Sequence, residues 1–278
     1  MTSILSNQSE ISSFCFNVIN KHNFVKQFVH VNNTNDENQL KEIHYKFKLI
    51  ITIPAYNEED TIGGVISNIR NVIEDTKYSR DYIILVVNDG STDRTAEAAI
   101  SAGAFVYSHE TNLGLAETFR TEMKLCSTLG AEIIVHTDAD GQYSAEQIPL
   151  LINEIENGFD LVLGSRFKGT IEKMSLLKKL GNIAFSVVLT ILTRRKISDG
   201  QTGFRAFTNN VAMELEIISD HTYTQEQIIR ATQKQLNIKE IPVNFTTRNN
   251  GNSRLMKSPL DYAFKAWKNI FKIYFAKK

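Results

Sequence analysis

Cysteine is nearly absent from this chain. Two thiols in 278 residues, Cys15 and Cys126, make neither a disulfide framework nor a metal-ligand spacing. The simplest reading is a reducing compartment, with each thiol a small buried hydrophobe. Excess charge of either sign is also missing, since Lys+Arg and Asp+Glu both number 31. A nucleic-acid binder usually carries a basic surplus, so no nucleic-acid partner is expected. The opening residues, "MTSILSNQSEISSF", lack the basic start and apolar core of a secretory signal. No run reaches the roughly 18 to 20 apolar residues that a membrane-spanning helix needs. These absences point to a cytoplasmic protein.

What is present is a repeated alternation. Residues 1–46 are rich in Asn, Ser and Gln, with apolar residues that look irregularly spaced; they read as a polar extension of unknown role with a short helix around Ser12 to Val29. From Lys48 to Pro54 the chain is apolar and β-branched, hence a strand, and Asn57 is placed to cap a helix running to about Glu74. "DYIILVVNDG" reads as a second strand, followed by a helix from Ser91. "GAFVYSHE" is a third strand, and the helix after it ends at Gly130. "AEIIVHTDAD", a helix over "SAEQIPLLINEIENG" and the strand "FDLVLGSR" complete the series. Near-continuous apolar strands alternating with amphipathic helices predict an α/β fold, a mostly parallel sheet covered on both faces.

In such sheets ligands bind beyond the carboxyl ends of the strands. The polar clusters "PAYNEED", "NDGSTD", "TDADGQ" and "GSR" each follow a strand end, so all four converge on one edge. Asp138 and Asp140, with the amide of Gln142 in reach, form an oxygen-rich group suited to Mg²⁺ or Mn²⁺, or else a pair of solvated turn aspartates. Asp89 is placed to accept hydrogen bonds from a nucleobase or ribose, while Ser91 and Asp93 read as plain helix caps. Tyr56 and Glu58 sit where a nucleoside could lie. Arg166 is either a bidentate phosphate clamp or a surface arginine.

Taken together, "IPAYNEED", "VVNDGSTDRT", "NLGLA", "HTDADGQY", "DLVLGSRF", "SDGQTGFRAF" and "IKEIPVNFTTRNNGNSRL" resemble the family 2 glycosyltransferases of the GT-A fold. Their order and spacing are similar to the dolichyl-phosphate mannose/glucose synthase branch, over about Lys48 to Ala276. The resemblance implies a Rossmann-like GT-A domain over residues 47–258. It also implies a GDP- or UDP-sugar donor and a divalent cation held by Asp138, Asp140 and Gln142, with the donor diphosphate completing its coordination. Pro54, Tyr56, Glu58 and Asp89 would line the nucleoside pocket, with Asp138 partly serving the nucleotide. Arg166 and Arg205 would face phosphates, and Arg254 would sit on a closing loop. Two departures stand out: Asn88-Asp89 replaces a frequent Asp pair, and the helix after "NLG" carries Glu117 and Glu122 where small residues are usual. The Gln-x-x-Arg-Trp element of processive synthases is absent, "QIIRA" at Gln227 to Ala231 being only a fragment.

A cation bridging the donor phosphates stabilises the charge that builds on the leaving diphosphate. The resemblance implies attack from the opposite face, with inversion. A polyprenyl phosphate acceptor needs no general base; a sugar hydroxyl needs one, for which Asp199 and Glu226 are the candidates. Two segments favour a lipid. Ile183 to Leu192 is apolar and flanked by Lys178, Lys179, Arg194, Arg195 and Lys196. Residues 259–278 read as an amphipathic helix with Leu260, Phe264, Trp267, Phe271 and Tyr274 on one face. Both suit the membrane interface, peripheral and on its inner side, or else packing against the protein body or a partner chain. The alternatives are the same chemistry on a sugar hydroxyl, or a catalytically silent nucleotide- or glycan-binding relative. A nucleotidyltransferase is disfavoured because no glycine-rich, lysine-bearing phosphate loop opens the domain.

Overall fold

The computed structural model describes residues 2–21, 47–220, 222–246, 270 and 274. Helix α1 (Thr2–Lys21) precedes strand β1 (Leu49–Ala55), helix α2 (Ile62–Glu74), β2 (Tyr82–Asn88), α3 (Thr95–Ser101), β3 (Phe105–Ser108) and α4 (Leu115–Thr128). Then come β4 (Ile133–His136), α5 (Ile148–Glu156), β5 (Leu161–Ser165), α6 (Leu176–Thr193), β6 (Arg205–Thr208), α7 (Asn209–Glu214), α8 (Tyr223–Gln233) and β7 (Ile238–Pro242). The strands form one sheet in the order β3-β2-β1-β4-β6-β5-β7.

Successive strand side chains point to opposite faces, and both faces are apolar. Ile50, Ile83, Leu85, Ile134 and Leu163 meet α4, α6 and α8 on one side. Leu49, Ile51, Ile84, Val135 and Val162 meet α2 and α5 on the other. Helix α2 supplies Ile62, Ile66, Ile69 and Ile73, the i, i+4, i+7, i+11 stripe of a helix docked on a sheet. Each such isoleucine contributes about 1.5–3 kcal/mol by leaving water.

One strand departs from the parallel pattern. β6 runs antiparallel to both β4 and β5, pairing Arg205 with His136 and with Leu163. An antiparallel strand enters the sheet at the edge where its neighbours leave it. The "SDGQTGFR" segment therefore arrives at the functional edge although it precedes its strand.

The helix expected around Ser12 to Val29 is found earlier, at Thr2–Lys21, and residues 22–46 lie outside the described residues. Ile11, Cys15, Val18 and Ile19 are buried in the same cluster as α4. Their spacing is i, i+4, i+7, i+8, a helical stripe diluted by the polar residues between. Phe14 packs edge-on against Tyr107 of β3 at 5.5 Å. Burial pushes the Cys15 thiol up to about 12 and raises the Cys126 thiol well above its ordinary value, so both behave as hydrophobes. Most of the expected 259–278 helix also lies outside the described residues. Ile270 is buried in the core and Tyr274 packs against it, so this part of the segment turns to the protein body.

Helix α6 corrects the expectation that no segment could cross a membrane. It has 18 residues with a mean hydropathy of 1.5, long and apolar enough by composition. Its buried residues Phe185, Ser186, Leu189 and Thr193 nevertheless dock it along the domain.

Candidate active site

The loops at the ends of β1 and β2 are stitched to each other. Asn57, at φ 53°, does not cap α2, whose preceding residue is Thr61. Its Oδ1 instead accepts from Thr92 N at 2.8 Å, and its own N–H donates to Ser91 Oγ at 2.9 Å. Glu58 N donates to Thr95 Oγ1 at 2.8 Å, and Arg94 N to Glu59 Oε2 at 2.9 Å. Ser91 thus serves the neighbouring loop rather than the helix, which begins four residues later. Asp93 keeps a cap-like bond, accepting from Thr95 N at 3.0 Å. Pro54 is buried two residues past Thr52, where the ladder between β1 and β4 ends. Tyr56 is exposed and Glu58 half-buried at the mouth of this edge.

Asp89 is 4 % exposed and its carboxylate is heavily used. It accepts from Leu113 N and Gly114 N, each at 2.8 Å, and lies 2.8 Å from His109 Nδ1. Burial works against its charge, but these donors win and hold its pKa below the ordinary 3.8. Gly90 lets the backbone of Thr111 come this close: at φ +65°, a Cβ there would stand 2.4 Å from the Thr111 carbonyl carbon. Asn88, where the family often has aspartate, is spent on Ser108 and Ser91 N.

Asp138 and Asp140 follow β4, both half-buried. The Asp138 carboxylate lies against Gly203, where a Cβ would approach its oxygens to 2.8 and 3.0 Å. Asp140 Oδ1 accepts from Gln142 N at 3.1 Å, which shapes the turn. Gln142 donates through Nε2 to Thr246 O at 2.9 Å, leaving its amide oxygen as the acceptor end. Among the described residues no three His, Cys, Asp or Glu side chains gather as a complete metal site. Two carboxylates and an amide oxygen suit a hard cation that takes its remaining ligands from phosphate and water.

Residues after β7 hold this turn in place, a feature sequence reasoning missed. Thr246 N bonds Gln142 O at 3.0 Å, and Gln147 and Asn244 exchange two hydrogen bonds of 3.0 and 2.6 Å. The Phe245 ring stands 5.1 Å from that of Tyr143 and under the Arg166 guanidinium at 5.3 Å. Tyr143 is itself buried, so its ring packs in this cluster.

Arg166 is neither a surface arginine nor an open fork. Asp199, fully buried, accepts from Arg166 N at 3.0 Å, Nε at 2.7 Å and Nη2 at 2.8 Å. Burial opposes the guanidinium charge, but Tyr143 and Asp199 outweigh it and the pKa is raised. Arg205 is turned into the core at 0 % exposure, away from any phosphate at the edge. Its Nη1 reaches Thr224 O at 3.1 Å and Gln227 Oε1 at 2.8 Å, and its remaining nitrogens bond Thr202 O. Burial lowers its pKa. Gln227, set aside as a motif fragment, is therefore its partner. Glu226 is also fully buried, accepting from Ile218 N, Ser219 N and Arg230 Nε. Arg254 lies outside the described residues.

The two unusual glutamates of α4 have separate fates. Glu117 pairs with Arg120 at 2.7 Å on the surface. Glu122 is fully buried; its Oε2 lies 2.9 Å from His136 Nδ1 without hydrogen-bond alignment, and its Oε1 has no hydrogen-bond partner. Burial pushes the Glu122 carboxyl up, partly offset by His136. The preceding residue, Thr121, bonds His109 Nε2 at 3.0 Å. Adjacent residues of α4 thus meet histidines from the ends of two different strands.

With this geometry in hand, the comparisons with known proteins decide the family. The model for glycosyl transferase family 2 matches residues 50–215. The chain belongs to that family. It is 33% identical to a UDP-N-acetylglucosamine–dolichyl-phosphate N-acetylglucosaminyltransferase of Methanococcus voltae, over 70% of this chain and 85% of the relative. It is 31% identical to a dolichyl-phosphate hexose transferase of Haloferax volcanii, over 72% and 83%. A solved glucosyl-3-phosphoglycerate synthase of Mycobacterium tuberculosis, in complex with Mn²⁺, UDP and phosphoglyceric acid, superposes with a TM-score of 0.63. It shares 20% identity, with 84% of this chain and 80% of that one covered. The chain is a glycosyltransferase with the GT-A fold.

Proposed function

We propose that this family 2 glycosyltransferase is an inverting, metal-dependent enzyme that moves a sugar from a nucleotide sugar to a polyprenyl phosphate at the membrane surface. The relatives that act on dolichyl phosphate support the acceptor class. The observation that carries the acceptor is α6, which follows the Arg166 loop. Leu176, Leu180, Ile183, Val187 and Ile191 are all exposed and step by four, three, four and four residues, one apolar stripe on a single helix. Lys178, Lys179, Arg194 and Lys196 are exposed at its two ends, as suits a helix lying on anionic headgroups. A cleft of about 500 Å³ opens at its first turn, lined by Glu172, Lys173, Ser175 and Lys179 among others, and its two lysines make it the place we assign to the acceptor phosphate.

Asp138 and Asp140 would hold a Mg²⁺ or Mn²⁺ ion, which would supply positive charge for the donor diphosphate. Tyr56, Glu58 and Asp89 belong to the nucleoside side. Asp89 acts chiefly by fixing the Leu113–Gly114 turn, to which its carboxylate is committed. An acceptor phosphate oxygen attacks the anomeric carbon from the face opposite the leaving group. The bond from that carbon to the diphosphate oxygen breaks, and the electron pair leaves with the nucleoside diphosphate. No proton need be removed from an ionised phosphate. Asp199 and Glu226, the bases a hydroxyl acceptor would call on, are both buried and bonded to arginines, which disfavours that alternative. The enzyme works as a peripheral protein on the inner membrane face.

The test is direct. Purified protein is incubated with UDP- and GDP-sugars, Mn²⁺ and polyprenyl phosphate in anionic vesicles, expecting a glycosylated lipid phosphate and one nucleoside diphosphate per turnover. Turnover with a water-soluble glycan but none with lipid phosphate overturns the acceptor. Neither transfer nor slow donor hydrolysis would leave a silent binding relative.

A further inference from the structure

We propose that Glu240 is a positioning residue for the transfer reaction: through the Ser198–Asp199 turn it aims Asp199 at Arg166, so that the guanidinium meets phosphate with its Nη1 edge alone. The inference rests on the proposed transfer reaction and on the phosphate contact that the family resemblance implies for Arg166. Glu240 lies on β7 with its side chain 4 % exposed. One oxygen accepts from Ser198 N at 2.8 Å and Asp199 N at 3.1 Å; the other accepts from Ser198 Oγ at 3.0 Å and pairs with Lys168 Nζ at 3.0 Å. Four donors on one side chain require the lone pairs of a carboxylate. Neutralising Lys168 alone would not call for the two backbone bonds, which define the turn from which Asp199 projects.

The next tier repeats the arrangement. Asp199 spends its carboxylate on the backbone N, Nε and Nη2 of Arg166. The Ser198 hydroxyl reaches Ser165 Oγ at 2.6 Å, which ties the same turn to the residue just before Arg166. From behind, Gly200 N donates to Ser186 Oγ of α6 at 3.1 Å. With the Nε side bound to Asp199 and one face on Phe245, the guanidinium has a fixed plane and a fixed edge. That is how a planar donor gains precision at the cost of its bidentate grip.

A double-mutant cycle with Glu240→Gln and Arg166→Ala tests this. Glutamine keeps one accepting oxygen but turns an NH₂ towards Lys168, so the turn loosens without an emptied site. Glu240→Gln is expected to lower kcat about ten-fold with donor KM within about two-fold, and to cost almost nothing further once Arg166 is alanine. Equal losses in both backgrounds would mean a general structural role and overturn the proposal. So would a loss of the same size from Lys168→Ala, which leaves the turn's hydrogen bonds intact. If Glu240→Gln does not fold, Ser198→Ala replaces it in the cycle, with a loss of about three-fold expected and the same non-additivity required. The cycle runs on whichever acceptor the wild-type protein uses, so a failed lipid assignment and a failed positioning role are read separately.

Discussion

Asp138 and Asp140 stand half-open at the end of β4, whereas Asp199, Glu226 and Glu240 are closed over by arginines, a lysine and backbone N–H groups. All five are carboxylates in or beside sequence motifs, yet they do opposite work. The half-buried pair stands at the edge where, under the proposed function, the donor diphosphate would lie. The closed trio has spent its lone pairs on protein donors, and its charges are balanced internally. Motif membership alone does not separate the two kinds; burial does, the pair being half-buried and the trio closed off from water.

The contrast can be broken from either side. Asp140→Ala should abolish transfer by about 10³-fold, roughly 4 kcal/mol, while the midpoint of chemical denaturation stays near wild type. Unchanged transfer in this variant, with chelator present, would remove the metal role. Asp199→Ala should do the reverse in kind, since it strands a buried guanidinium: a loss of about 3–5 kcal/mol in unfolding free energy is expected by urea titration. Wild-type stability there would show that Arg166 finds other partners.

Asp89 lies between these extremes. Asp89→Asn should cost about 2 kcal/mol at neutral pH by undoing its bonds to Leu113 and Gly114. The native pKa is depressed, so this contribution is fully present above the ordinary 3.8 and fades as pH falls through the native value. The gap between variant and wild type should therefore close in acid, and a gap independent of pH would contradict the charge argument. The smallest effect belongs to the surface. Ile183→Ser with Val187→Ser should weaken sedimentation with anionic vesicles by about ten-fold and leave the melting temperature within about 2 °C. An unchanged partition would take α6 off the membrane.

Much of the fold was legible because burial on both faces writes strands as apolar runs, and β1, β2, β4 and β5 carry that signature. β6 did not declare its direction: "RAFT" is four residues long, and periodicity is the same read either way along a sheet. Helix α1 was masked by composition, although Ile11, Cys15, Val18 and Ile19 keep helical spacing. At the candidate site, the strand-end rule brought together loops that the structure also places side by side. It could not tell a polar side chain aimed at substrate from one aimed at the next loop, because both call for the same residue types. Asn57, Ser91 and Arg205 fell on that ambiguity. Glu240 and Phe245 gave no separate signal, one sitting in an ordinary strand and the other just past its end.

The pairing of Glu122 with His136 has a consequence for descent. Both side chains lie out of reach of water, but they depend on each other unequally: Glu122 has the His136 ring beside it at 2.9 Å, whereas His136 also meets Thr52 Oγ1 at 3.3 Å and the Tyr223 hydroxyl at 3.4 Å. The dependence therefore runs one way, from α4 to β4: the glutamate needs the histidine, and the histidine can stand without the glutamate. A relative with a small residue at 122 should accordingly tolerate a histidine at 136, whereas grafting this glutamate alone onto a protein without that histidine should cost it stability before it changes any chemistry.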